Sequence, residues 1–491
     1  MRLYPDKEEF RHFAASYNIV PVFTDLAVDL ETPVSLYYKI VGDAPGFMLE
    51  SADTSKNFGR YSFIGVEPFL TVVAQVDGLQ LTGPESASLK QDPLAELQSI
   101  LNQYRCADLP GLPPFSGGAV GYLSFEAVST WERIRGLEIP PDMTLGEFMF
   151  CRLIVAMDHL THSAKLIYLA EIPAAATDDI LDEIYGQAAA RLLQISSELT
   201  KPLKLPVDEP APLEKKPIQP PDDAAVRQQY MNNVLKAKEY IAAGDIFQVV
   251  LSHPFRQPLK EAPFSLYRRL RRINPSPYMF YINFGQHQLV GASPEMLVKL
   301  QQGEVFTCPI AGTRPRGKNA AEDAKLAAEL LADRKECAEH AMLLDLGRND
   351  IGRISLPGTV HVTKMMEVEN FSHVMHIVSE VSGKLNPNYS ATDTLKACFP
   401  AGTVSGAPKI RAMEIINELE PERRGPYAGA VGYFDFRGNM DTCITIRTFS
   451  IAGDEVTIQT GAGIVADSVP ETEYQEIRHK ARVLFQVLGG S

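Results

Sequence analysis

YMFYINFGQHQLVGASPEMLVKLQQGEVFTCPI, residues 278–310, sets the class of structure. It holds three strand-like runs, YMFYINF (278–284), HQLVGAS (287–293) and EVFTCPI (304–310), joined by short connections. A parallel pair needs a crossover of a dozen or more residues, usually a helix, so these runs predict an antiparallel meander. Outward from this segment, FLTVVAQV (69–76) and VTIQTGAG (456–463) contain further β-type runs. FMFCRLIVAM (148–157) is too short to cross a membrane and contains Arg152, so it reads as a buried strand. Helical patterns cover 225–243, 320–346 and 470–488. The fold class expected is α+β, antiparallel sheets with helices packed outside.

The chain has 491 residues, 45% hydrophobic and 22% charged, which excludes a wholly disordered or collagen-like chain. The net charge of −14, with no dense Lys/Arg block, argues against a nucleic-acid partner. An anionic small substrate would then need a few local cations set against the global sign. Seven of the 35 prolines fall in KPLKLPVDEPAPLEKKPIQPP (201–221), an extended connection. The expected organisation is an N-terminal region, 1–200, a Pro-rich linker, 201–224, and a C-terminal region, 225–491. Cys106, Cys151, Cys308, Cys337, Cys398 and Cys443 show no zinc-type spacing and suggest reduced thiols. The charged start MRLYPDKEEFRHF lacks an apolar core, so neither a signal peptide nor a membrane span is expected, and the location expected is cytoplasmic.

Chemistry-bearing residues cluster in the C-terminal region. Glu336 and Glu339 in KECAEHAMLLDLGRND, and Glu473 and Glu476 in PETEYQEIRHKA, each stand at i, i+3 on one helical face. Two readings fit. Paired carboxylates suit a hard cation such as Mg²⁺, and equally a solvated face in which Glu476 pairs with Lys480 and Glu336 with His340. PIAGTRPRG (309–317), PAGTVSGAPKI (400–410) and TGAGIVADS (460–468) offer backbone amides to an anion, or are only turns. In FSHVMHIVSE, His376 has an apolar context that suits a hydrogen-bonded core residue or an acid/base group. Arg447, expected in a strand ITIRTF, needs a carboxylate partner or an anionic ligand.

Taken together and in this order, ECAEHAMLLDLGRND, FSHVMHIVSEV, PAGTVSGAPK, GAGIVADS and the final ExxE resemble the chorismate-utilising enzymes. FMLESADTSKNFGRYSFIG (47–65) extends the resemblance into the N-terminal region. The resemblance implies antiparallel sheets packed as a sandwich with helices on the outside. It implies Mg²⁺ held by Glu339 and Glu476, with Glu336 and Glu473 around them. It assigns the enolpyruvyl carboxylate of chorismate to Tyr427, Arg447 and the backbone of Gly461, Ala462 and Gly463. Gly312 and Thr313 match a further substrate contact, and Lys480 a lysine near the carboxylates.

Three positions choose among the family's reactions. Gln248 stands where water-using members carry a lysine base. Ala311 stands where the aminodeoxychorismate-forming type has a lysine nucleophile, and Thr403 matches the anthranilate-forming type. The implied reaction is amination of chorismate at C2 by ammonia, then loss of pyruvate to give anthranilate for tryptophan biosynthesis. Glu295 matches the acid for the departing C4 hydroxyl, and His376 the acid/base of the second step, with Thr403 beside the leaving group. No GxCxGxQ segment of the glutaminase type occurs, so ammonia is expected from a separate glutamine amidotransferase subunit. Leu49, Glu50 and Ser51, with Asn274, Pro277, Tyr278 and Met279, resemble the two walls of an L-tryptophan inhibitor site. The rival readings are an aminodeoxychorismate-forming enzyme, disfavoured by Ala311, and a non-catalytic tryptophan-binding homologue, disfavoured by the full set of site residues.

Overall fold

The computed structural model of the chain describes residues 2–51, 59–82, 92–203, 219–371 and 374–489. Most of the proline-rich linker, 204–218, and part of the 47–65 segment lie outside the described residues. The fold is built around the strand Thr144–Asp158. One edge pairs with Tyr61–Gln75, and the other pairs first with Gly118–Leu123 and then with Ser163–Glu171. Its FMFCRLIVAM stretch is buried except for a half-buried Arg152, as its composition predicts.

Two runs of strands leave this trunk. The first continues from Tyr61–Gln75 through Gly46–Glu50, Tyr278–Asn283, His287–Ser293 and Thr448–Ala452 to Glu455–Ile464 and Gln248–Pro258. The second goes from Gly118–Leu123 through Ala430–Asp435, Met440–Ile444, Met296–Gln301 and Glu304–Thr307 to Val374–Lys384. Ile310–Pro315 and His361–Asn370 add to that last strand. Every one of these ladders is antiparallel, which the short connections within 278–310 require. Strands of residues 1–200 thus pair directly with strands of residues 225–491.

The alternation of each strand sends one side chain set inward. Phe47, Phe63, Phe280 and Ile282 of the first run share a buried cluster with Val120, Tyr122, Val431 and Tyr433 of the second, so the runs face each other as a sandwich. The outer faces are covered by helices. Pro33–Ile40, Asp178–Leu199 and Pro263–Ile273 lie on one side, and Pro93–Leu101, Ala391–Cys398 and Lys409–Leu419 on the other. The helices expected at 225–243 and 470–488 are Ala224–Ala242 and Pro470–Leu488. The pattern at 320–346 is instead two helices, Ala320–Ala332 and Arg334–Gly352. Asp333 divides them because its carboxylate accepts from the Lys335 and Glu336 amides, at 3.0 and 3.3 Å, and so caps the second helix.

Candidate active site

The candidate residues gather where Arg334–Gly352 and Pro470–Leu488 approach the strand Glu455–Ile464. Past Ile458 that strand is paired on one edge only, with Gln248–Pro258. Lys480 Nζ donates to the Gly461 carbonyl on the open edge, at 2.9 Å. By the two-residue period of a strand, the amides of Gly461 and Gly463 share this edge, while Ala462 faces the ladder. Side chains would close the site: a Cβ on Gly461 would stand 2.7 Å from the Tyr427 hydroxyl, and one on Gly463 2.7 Å from Gln248 Nε2. Gln248 is buried, and its Oε1 has no hydrogen-bond partner among the described residues.

The four glutamates divide unequally. Glu476 pairs with Lys480 at 2.7 Å, the i+4 contact its spacing suggests. Glu336 pairs with Arg314 at 3.3 Å and not with His340, which is buried and bonds Ser379 at 2.6 Å. Burial, then the nearby Glu336 and Glu476 carboxylates, push the Glu339 pKa up. Burial also raises Glu473, opposed by a hydrogen bond from Ser468. Among the described residues, no three His, Cys, Asp or Glu side chains already stand around one common point. The donors are nonetheless all carboxylate oxygens, and their mutual repulsion is what a hard divalent cation relieves, so the set fits Mg²⁺.

The acid/base candidates carry pKa shifts of opposite sign. Glu295 lies between His287–Ser293 and Met296–Gln301, and Thr403 Oγ1 donates to its Oε1 at 2.8 Å. Burial pushes the Glu295 pKa up to about 7, against the hydrogen bond from Thr403 and the charges of Lys480 and Arg447. His376, on Val374–Lys384, sits opposite Thr313, with Nδ1 2.8 Å from the Gly312 carbonyl. A carbonyl only accepts, so Nδ1 carries the proton and Nε2 has the free lone pair. Burial pulls the His376 pKa below its usual value, which favours this neutral form. Gly312 is in the left-handed region, φ +68°, at a bulge in Ile310–Pro315 that sets this carbonyl under the ring. Arg447 is not in a strand: it occupies the bend between Met440–Ile444 and Thr448–Ala452, at φ +53°. The apolar neighbours that suggested a strand are the ends of two strands meeting at this bend. Its guanidinium has no hydrogen bond or ion pair within 4 Å among the described residues, and burial lowers its pKa. Burial raises Tyr427 to about 12, so its hydroxyl stays a neutral donor.

A second cleft, of about 400 Å³, opens between the two sheet runs. Leu49, Glu50 and Ser51 line one wall with Pro277, Tyr278 and Met279, and Val431, Tyr433, Asp441 and Cys443 line the other. Glu50 is ion-paired with Arg271, while its Oε2 and the Ser51 hydroxyl are buried without partners among the described residues. Asn274 is not part of this lining: it ends the helix Pro263–Ile273. The sequence reading missed Arg424, Glu420 and Glu126, a buried charge cluster behind Tyr427. Its only signal was the doublet in PERRGPYAG, which reads as a charged turn.

A family profile described as chorismate binding enzyme matches residues 45–486. The chain is 42% identical to anthranilate synthase component 1 of Acetivibrio thermocellus, over 99% of this chain and 98% of that protein. It is 44% identical to anthranilate synthase component 1 of Synechocystis sp., over 99% of both. The crystal structure of anthranilate synthase component I from Streptococcus pneumoniae superposes with a TM-score of 0.73 at 38% identity, covering 87% of this chain and 92% of that one.

Proposed function

The chain belongs to the family of chorismate-binding enzymes, and from that premise we propose that it performs the anthranilate synthase reaction, the lyase step that opens tryptophan biosynthesis. The observation that carries the reading is the half-buried Arg447 guanidinium without a counterion among the described residues, beside Tyr427 and the open edge of Gly461 and Gly463. A guanidinium partly withdrawn from water and left unpaired favours an anion, and a carboxylate satisfies it bidentately. The enolpyruvyl carboxylate takes that place.

Ammonia adds at C2 as the C4 hydroxyl departs as water, with Glu295 giving the proton. A carboxyl that titrates at about 7 keeps a substantial protonated fraction near neutrality, as a general acid needs. Gln248 lines the same site and has an unused acceptor for an N–H of the nucleophile. In the second step, Nε2 of neutral His376 removes the C2 proton. The C3–O bond breaks, pyruvate leaves, and the ring becomes aromatic. Thr403 holds Glu295 in line, and Gly312 and Thr313 fix the imidazole. Glu339 and Glu476, with Glu336 and Glu473 behind them, would hold Mg²⁺, which when bound would neutralise and orient the ring carboxylate. Lys480 adds a cation at the same edge.

Ammonia comes from a separate glutamine amidotransferase component, as the name component 1 in the relatives supports. The cleft between the sheet runs is the L-tryptophan inhibitor site, with the unpartnered Ser51 hydroxyl and Glu50 Oε2 as acceptors for its ammonium. Among the described residues no helix is long and apolar enough to cross a membrane. The test is product identification from chorismate, an ammonium salt and Mg²⁺. Blue fluorescence of anthranilate with one equivalent of pyruvate is expected. A product aminated at C4 that retains its enolpyruvyl group would instead make the chain an aminodeoxychorismate-forming enzyme.

A further inference from the structure

Behind the substrate site lies a guanidinium whose donors are spent on the backbone of the site itself. Arg424 is 4% exposed, and every contact it makes is inside the protein. Its NH1 donates to the Val404 carbonyl at 2.7 Å, and its NH2 to the Val250 carbonyl at 2.7 Å. Nε and NH2 also fork onto the Glu420 carboxylate, at 2.8 and 2.6 Å. Glu420 in turn accepts from the Ser252 amide and hydroxyl, at 2.7 and 2.9 Å. The amides of Arg424 and Gly425 are themselves held by the two oxygens of buried Glu126, at 2.6 and 3.0 Å.

Each segment caught in this way carries a candidate substrate group. Val404 follows Thr403 in the turn Gly402–Val404. Val250 and Ser252 are the ladder partners of Gly463 and Gly461, and Val250 stands two residues beyond Gln248. Tyr427 stands three residues beyond Arg424, whose guanidinium lies 5.6 Å from the tyrosine ring centroid. Arg424 touches none of the reacting groups. We propose that Arg424, seated by Glu126 and Glu420, is the positioning residue that sets the spacing between the Thr403 turn, the Gly461–Gly463 edge and Tyr427, and so tunes the fit to chorismate. A planar fork with fixed donor directions suits this task, whereas an ammonium offers a point charge on a flexible stem. A buried ion pair is weak evidence for stability by itself, so two backbone carbonyls taken from the site are the telling contacts.

The inference rests on the proposed chorismate chemistry, and its test separates the two. Arg424→Lys keeps the charge opposite Glu420 but cannot span both carbonyls. Glu126→Gln leaves the guanidinium in place and sets an NH₂ against one of the two amides that Glu126 now holds. Both are assayed for anthranilate formation with ammonium and Mg²⁺. Tyr427 and the Gly461–Gly463 edge hold the ground-state substrate, so the chorismate KM should rise about tenfold; the Thr403 turn also holds Glu295, so kcat should fall too, but by less than KM rises. A merely structural role would lower the folded fraction, and with it the apparent kcat, at unchanged KM. If Arg424→Lys does not fold, Glu126→Gln decides. A folded variant whose KM stays within about twofold of the parent overturns the clamp alone. A parent chain that leaves chorismate untouched overturns the functional reading, and the clamp's role with it.

Discussion

Glu295 and His376 show one cause acting with opposite sign. Burial disfavours charge, so it raises the carboxyl and lowers the imidazole, which leaves the imidazole neutral and keeps the carboxyl protonated below about pH 7. The acid is lost as pH rises through about 7, which sets the basic limb of kcat/KM. The hydrogen bond from Thr403 lowers the Glu295 pKa, so Thr403→Val should raise it and move that limb to higher pH. A kcat/KM–pH profile measures this, and an unmoved limb would detach Thr403 from Glu295. His376→Met should slow pyruvate loss more than amination, because a thioether cannot take the C2 proton. Chromatography should then find 2-amino-2-deoxyisochorismate accumulating, and equal slowing of both steps without it would reassign His376 to binding. At this scale the motif-borne residues were legible in the sequence, since GASPEML and FSHVMHIV name them by resemblance. Arg424 was not, because its partners Val250 and Val404 are backbone carbonyls with no side-chain signature.

The hairpin Tyr278–Asn283/His287–Ser293 was legible because periodicity is local, but the meander was not: EVFTCPI pairs in the other run with Met296–Gln301, a strand the sequence did not mark, and the break at Asp333 was hidden too. An aspartate inside a continuous 3.6-residue pattern looks like a surface position until its carboxylate is seen on the amides of Lys335 and Glu336. That break matters to the site. It starts the second helix at Arg334, and Arg314 then reaches both Asp333 and Glu336, at 2.8 and 3.3 Å. Glu336 is thereby tied to a guanidinium while Glu339, one turn on, faces Glu476. Glu339→Gln and Glu476→Gln should therefore each weaken Mg²⁺ binding at least about tenfold by calorimetry, and Glu336→Gln less. Equal losses from all three would remove the distinction between ligand and neighbour. Gly406 marks a second constraint between elements. It sits at φ +139° against Gln248–Val249, and a Cβ there would stand 2.2 Å from the Gln248 carbonyl oxygen. Gly406→Ala must push Gln248 off the site, so it should cost about 1–3 kcal/mol of stability and most of the activity. Chemical denaturation with a chorismate assay reads both, and parent-like values in both would show that the two strands can part.

Across the whole molecule, the two clefts share one hairpin. Val431, Tyr433, Asp441 and Cys443 of Ala430–Asp435 and Met440–Ile444 line the cleft between the sheet runs. At the base of the same hairpin stand Tyr427 and Arg447, the groups assigned to the substrate carboxylate. That base is stitched by Ala428 donating to the Thr445 carbonyl at 2.9 Å and Thr445 to that of Gly429 at 3.0 Å. A sheet run can shift as a packed unit, and a ligand that fills the cleft fixes how far the hairpin stands from the opposite wall of Leu49–Ser51 and Pro277–Met279. Tryptophan then inhibits only by the difference in its affinity for the two spacings, since equal affinity shifts nothing. By linkage, chorismate must weaken tryptophan as much as tryptophan weakens chorismate. Ser51→Phe fills the wall with a ring and removes a buried acceptor, without touching Arg447, Tyr427 or the carboxylates. Inhibition by tryptophan should weaken by at least about tenfold, with kcat and the chorismate KM in its absence within about twofold of the parent. Anthranilate formation against tryptophan concentration, at low and high chorismate, measures both the shift and its reciprocity. Superimposable curves for the two proteins would take Ser51 out of the effector site, and a parent indifferent to tryptophan would leave the cleft without that ligand.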